Sequence, residues 1–188
     1  MGKLTFIMMI CLALATIAGC GGKKSQAGND LPKTVETEME NDSTIYGFCG
    51  DGTSMNILQL ITDKGDTIEF TLQGNDTVTV VQGGMLAGDR MAVVAGKAPE
   101  GESMKQATTV INLTSLMGTW QSIDRTFSIE EGGVVSSDNR EPKPYLDWKI
   151  CNGKLVLTAD TFSVYGLGPD SLLLENAQGI FAYKRVKK

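Results

Sequence analysis

The chain has 188 residues, with 17 Lys and Arg against 22 Asp and Glu, and no histidine. Without imidazole a His-based triad and most zinc and copper sites are disfavoured. A net charge of −5 with no basic stripe argues against a nucleic-acid partner.

The first element is a leader. Lys3 precedes an apolar run over residues 4–18 that is too short and wrongly flanked to be kept as a membrane span. Ile17, Ala18 and Gly19 then stand before Cys20 as in a lipobox. A small residue before the cysteine lets a signal peptidase close on the chain, and the thiol accepts a diacylglycerol. The expected leader is residues 1–19, and losing Lys3 with it takes the charge to −6. Two acyl chains on the glycerol, often joined by a third on the amine (palmitate among them), hold a protein stably on a bilayer. Residues 20–42 contain no apolar face, are interrupted by Pro32 and gather Glu36, Glu38, Glu40 and Asp42. They are expected to be a disordered tether.

From residue 43 the pattern is β throughout. Runs rich in Thr, Val, Ile and Leu predict strands over 44–48, 55–61, 67–72, 77–82, 89–95 and 108–113. Asp51-Gly52, Gly74-Asn75-Asp76 and Gly83-Gly84 supply residues that tolerate positive φ between them. In residues 57–61 apolar side chains fall on both faces, so this strand is expected to be covered on both sides. Residues 98–106, with Pro99, Gly101, Glu100 and Glu102, read as an exposed loop.

A second set predicts strands over 119–123, 126–130, 134–137, 145–151, 154–159, 162–165, 171–175 and 180–185. Asn152-Gly153 is the strongest hairpin signal, because a type I′ turn needs positive φ at both central residues. Eight short strands in hairpin succession describe an up-and-down meander, and closing it into a barrel removes the exposed edges. The fold class is therefore all-β, with two small antiparallel barrel-like modules at residues 43–113 and 114–188. No useful helical period is present, and each module is small enough that the two are expected to pack along an apolar seam.

Gly118-Thr119-Trp120 opens the second module, Trp148 lies on a middle strand, and Tyr183-Lys184-Arg185 closes it. This resembles the lipocalin-like domains of Bacteroidetes envelope lipoproteins over about the last 75 residues. The resemblance implies that Trp120 packs across a closed barrel end and that Arg185 stacks over it, with Lys184 as the alternative. It also implies a small apolar ligand in or near the barrel. Val134, Trp148, Leu155, Leu157, Val164 and Leu172 are the candidate lining residues, although strands this short leave room for a filled interior. The first module is similar to an OB-type barrel, with Gly88 before a later strand. The pairing is also similar to copper-resistance and envelope-stress lipoproteins, in reversed order and without their Cys-x-x-Cys, so no metal role is carried over. Gly21, Gly22, Lys23 and Lys24 lack the acidic cluster common in surface-exported relatives. An outer-membrane location facing the periplasm follows, with the cell surface as the alternative.

The remaining constellations carry little chemistry. Glu100 with Glu102 and Glu130 with Glu131 are paired acids in polar surroundings that read as solvated loops, whereas acid–base catalysis calls for a buried carboxylate. The glycines around Cys49 lack a following Lys at phosphate-loop spacing. Asp63, Asp66, Asp76 and Asp89 are too dispersed for calcium. Cys49 and Cys151 read as thiols in separate modules, with a disulfide as the alternative. Ser43, Thr67, Thr77 and Ser171 each follow an Asp in a pattern resembling a Bacteroidetes O-glycosylation motif, which plain turn chemistry also explains. Trp120 and Trp148 read first as core. The expected protein is a non-enzymatic, lipid-anchored binding protein without metal or cofactor. The alternative is a structural or assembly lipoprotein that contacts another envelope protein.

Overall fold

Strands whose burial alternates in part, as in Ile57–Thr62 and Thr126–Ile129, build two sheets from this chain. The computed structural model describes residues 41–72, 80–98, 101, 103–138 and 141–187. Cys20, Thr77 and the Glu100 and Glu102 pair lie outside them. The first sheet contains β1 (Thr44–Cys49), β2 (Ile57–Thr62), β3 (Thr67–Thr71), β4 (Val81–Gln82), β5 (Arg90–Ala95) and β6 (Lys105–Asn112). Strands β1, β2, β3, β6 and β5 pair into a closed ring of five. Every step is antiparallel except β3 to β6, where Phe70 faces Lys105 in parallel register. β4 lies parallel beside the end of β6, with Val81 facing Val110.

Leu58, Leu60, Phe70, Met91, Val93 and Val110 fill this ring and are inaccessible to solvent. The outer face of β2 carries Ile61, which is exposed, so β2 is covered on one face only and the two-sided expectation for residues 57–61 is corrected. Two-sided burial belongs to β5 and β6 instead. Met91, Val93 and Val110 face the ring core, while Ala92 and Ile111, in alternate phase, enter the core of the second sheet. β6 also starts at Lys105, inside the segment expected as a loop.

The second sheet is a meander of β7 (Gly118–Gln121), β8 (Thr126–Ile129), β9 (Val135–Ser137), β10 (Trp148–Cys151), β11 (Lys154–Leu157), β12 (Asp160–Leu167), β13 (Ser171–Asn176) and β14 (Gly179–Arg185). β14 returns to β7 with Arg185 opposite Trp120 and Lys184 opposite Gln121. The remaining gap, between β9 and β10, is spanned by a bridge from Val134 to Asp147 and by the Val135 amide donating to Leu146 O at 2.9 Å. Eight antiparallel strands are thus nearly closed into a barrel. The turn after β10 has φ of +48° at Asn152 and +75° at Gly153, the two positive values a type I′ hairpin needs.

The junction contains a single helical turn, α1 (Leu113–Leu116), where no helix was expected. Asn112 caps it by accepting from the Ser115 amide at 2.8 Å. Its amide group donates to Asp89 Oδ2 at 2.6 Å and to Gly84 O at 3.0 Å. This fully buried amide therefore ties β6, α1 and the loop before β5 together.

Both sheets belong to one compact unit. Tyr46, on the outer face of β1, packs against the second core and donates from its hydroxyl to Ile150 O at 2.8 Å. Gly83 N donates to Leu167 O at 3.1 Å, and Leu167 N to Gln82 Oε1 at 3.1 Å. Asp42 Oδ1 accepts from the Asn152 amide at 2.9 Å, while the Ser43 amide and hydroxyl donate to Asn152 Oδ1 at 3.0 and 2.9 Å. Cys49 and Cys151 are buried thiols on different sheets.

Candidate functional site

The closed end of the second barrel is built from one indole, one guanidinium and one glycine. Trp120 is fully buried and donates from Nε1 to Leu116 O at 2.8 Å. The Arg185 guanidinium carbon lies 4.1 Å from the centre of the indole, a cation–π contact. Arg185 also donates to Pro169 O at 2.6 Å, to Met117 O at 2.7 Å and to Ser115 O. It thereby satisfies carbonyls at the end of α1 that have no intrahelical partner. Gly118 has φ of +134°, and a Cβ there would collide with the Arg185 guanidinium. The glycine two residues before the tryptophan is thus required by the arginine. Lys184 points to solvent and takes no part.

Above this seal the barrel is full. Leu155, Leu157 and Leu172 are inaccessible, and Val164 is nearly so. They are packed among Trp120, Phe127, Tyr145, Phe162 and Tyr183 as core. The expectation that these four aliphatic residues line a ligand chamber is corrected: short strands bring opposite walls into contact, and the aromatic rings occupy the space. Val134 lies at the β9–β10 opening and is half exposed. Trp148, also expected in the barrel lining, instead donates from Nε1 to Glu130 O at 2.7 Å and lines a cleft outside the barrel.

What remains of a chamber is a mouth at the other end. It is a cavity of about 340 Å³ bounded by the β7–β8, β11–β12 and β13–β14 turns and by the segment leading into β10. Its floor is aromatic. Phe127 meets Tyr145 and Tyr183 edge to face, with ring centres 5.5 and 5.1 Å apart. Phe162 meets Tyr145 and Phe181 in the same manner. These edge-to-face pairs lock the rings in place. Arg125 lies across this floor, 4.3 Å above Tyr145, and its Nε is 2.8 Å from Glu141 Oε2. Burial pushes the Tyr145 phenol up to about 12 against the opposing effect of Arg125, and raises Tyr183 as well. Both phenols are therefore neutral over the whole physiological range. Asp124, Asp160 and Lys143 complete the rim.

None of the mouth residues was singled out from the sequence as a binding residue, although Tyr183 stands in the closing Tyr183-Lys184-Arg185. Their signal was present: Phe162, Phe181 and Tyr183 alternate on the last strands, and an arginine follows the first strand. Aliphatic residues drew attention because a wide barrel would display them. Among the described residues, no group of three or more His, Cys, Asp or Glu could hold a metal ion, and no helix is long and apolar enough to cross a membrane. Of the glycosylation candidates, Ser43, Thr67 and Ser171 are exposed, with the Ser43 hydroxyl bonded to Asn152; Thr77 is outside the described residues. Glu130 and Glu131 are exposed.

A lipocalin-like family model matches residues 112–186, the span of α1 and the second barrel. No curated protein matches the chain, and no solved structure does.

Proposed function

We propose that this chain is a lipid-anchored cell-envelope protein whose lipocalin-like barrel binds a small, largely apolar molecule at its mouth. The observation that carries the reading is the mouth itself. A sealed lower end and a locked aromatic floor leave one concavity of about 340 Å³ on the barrel axis, at the lower end of the ~300–1,000 Å³ typical of small-molecule sites. A flat apolar ligand would cover Tyr145, Phe162, Phe181 and Tyr183, and Arg125 would swing aside or stack upon it. The protein supplies binding and no reaction. In this reading Cys20 carries the acyl chains and the protein sits at the outer membrane, facing the periplasm. The parallel β3–β6 step that closes the five-stranded ring supports reading the first module as an OB-type barrel, which in this reading is the platform on which the second barrel stands.

Native mass spectrometry of protein taken from its own envelope tests the reading. A retained small ligand that is lost in Arg125→Ala or Tyr183→Ala, together with an acylated Cys20, supports it. Protein that is free of any small ligand and takes up none from an apolar panel overturns the binding role. Cys20→Ala is expected to move the chain from the membrane fraction to the soluble fraction, since one residue holds the anchor. The second reading, contact with another envelope protein, is favoured by Ile123, Leu146 and Ile180. These are exposed apolar residues on the turns and strand ends around the same mouth. Co-purification that depends on these three residues, with an empty mouth, would favour it.

A further inference from the structure

A second concavity, of about 650 Å³, lies between the two barrels and is independent of the mouth. Four planar side chains, Tyr46, Phe48, Arg90 and Trp148, line it beside Leu113, Met117 and Ile150, and three of the four are held by a polar edge. Tyr46 is fixed through its hydroxyl to Ile150 O. Arg90 is fixed by Asp63, with Nη1 and Nη2 at 2.5 and 2.6 Å from the carboxylate oxygens. Trp148 is fixed through its indole N–H to Glu130 O. The Arg90 guanidinium carbon is 4.9 Å from the centre of the Phe48 ring and 5.8 Å from that of Tyr46. Phe48, next to the end of β1, is 48% exposed. A fixed wall of rings costs little further ordering when a ligand arrives.

The charge pattern narrows the ligand. Arg90 is neutralised by Asp63, and the cleft's other charged side chains are Lys149 and Glu131, one of each sign. No net field selects an anion or a cation. The rim residues Gly88, Thr114, Glu131, Gly132 and Lys149 are exposed, so a guest keeps one side in water. An apolar molecule would gain only half of its burial there. A ring with an apolar face and hydroxyl edges would stack on Phe48 or Trp148 and stay hydrated outside. We propose that this cleft binds a neutral saccharide.

Titration of the full chain with a panel of neutral hexose and N-acetylhexosamine oligosaccharides, followed by calorimetry and tryptophan fluorescence, tests this. Trp120 is sealed in the core, so Trp148 is the reporter. Saturable binding is expected, with little salt dependence. The fluorescence change should vanish in Trp148→Phe, and affinity should fall about tenfold or more in Phe48→Ser, a surface change. Arg125→Ala, in the mouth, should leave it unaltered. The proposal is overturned if no saccharide binds saturably, if Phe48→Ser binds as well as the parent, or if binding is lost on Arg125→Ala.

Discussion

Arg185 joins two stretches of backbone through three carbonyls, those of Ser115, Met117 and Pro169, while lying on Trp120. Removing the guanidinium leaves these carbonyls unpaired beside a buried indole. Arg185→Met is therefore expected to cost about 3 kcal/mol in urea unfolding, on the scale of charge-assisted hydrogen bonds lost at once. Arg185→Lys should recover less than half, because one ammonium cannot reach all three acceptors. This part of the site was legible in the sequence, since the Gly-x-Trp motif and a basic last strand name its members. Asp42 was not legible, because its partner Asn152 is far along the chain. At Asp42, burial opposes the charge, but bonds from the Thr44 hydroxyl and from the Asn152 and Thr44 amides outweigh it and hold the carboxyl below its usual range. A lowered folded pKa means stability that is present above the unfolded value, ~3.9, and lost as pH falls through the folded value. Asp42→Ala should thus destabilise the protein at neutral pH and flatten the acid limb of its stability profile, as read by thermal melts between pH 2 and 7.

At the scale of elements, the strands were legible because turn residues punctuate them, and pairing followed from hairpin order in the second sheet, but not in the first, where β1 pairs with β5 and β3 with β6. The errors share a cause. α1 is too short for a periodic signal, and it exists because Asn112 caps it and Arg185 covers its end. The two-sided expectation fell on β2 because its apolar residues occupy both faces, as do those of β5, and only tertiary packing decides whether a second face is covered. The mouth was missed for the same reason: a filled interior shifts the accessible surface from the strand centres to their ends. The opening between β9 and β10 has no continuous ladder: one bridge, the Val135 bond and side-chain bonds from Ser137 and Trp148 cross it. Amide hydrogen exchange should therefore be fastest there, at Val135 and residues 146–148, and slowest in β12 to β14. Equal protection around the whole sheet would show that the barrel is closed more tightly than this pairing allows.

For the whole molecule, the decisive feature is that β5 and β6 serve two cores at once. Ala92, Ile111, Leu113 and Leu116 contribute to the second core, although the first two are strand residues of the first sheet. A fully buried side chain of the size of Ile or Leu contributes about 1.5–3 kcal/mol, so the seam is comparable in weight to the net stability of a small domain. Tyr46, Gly83 and Asp42 add directional bonds across it. The two barrels are therefore expected to unfold together, with urea curves from Trp fluorescence and from far-UV circular dichroism superimposing. A fragment of residues 112–188 matches the region that the family model recognises, yet it would lose Tyr46, Ala92 and Ile111 from its core cluster. It should bind an apolar dye and melt well below the intact chain. Ile111→Ala in the full protein should lower both barrels' transitions by an equal amount, about 2–5 kcal/mol. Two separate transitions, or a fragment as stable as the whole, would mean that the shared strands do not couple the cores.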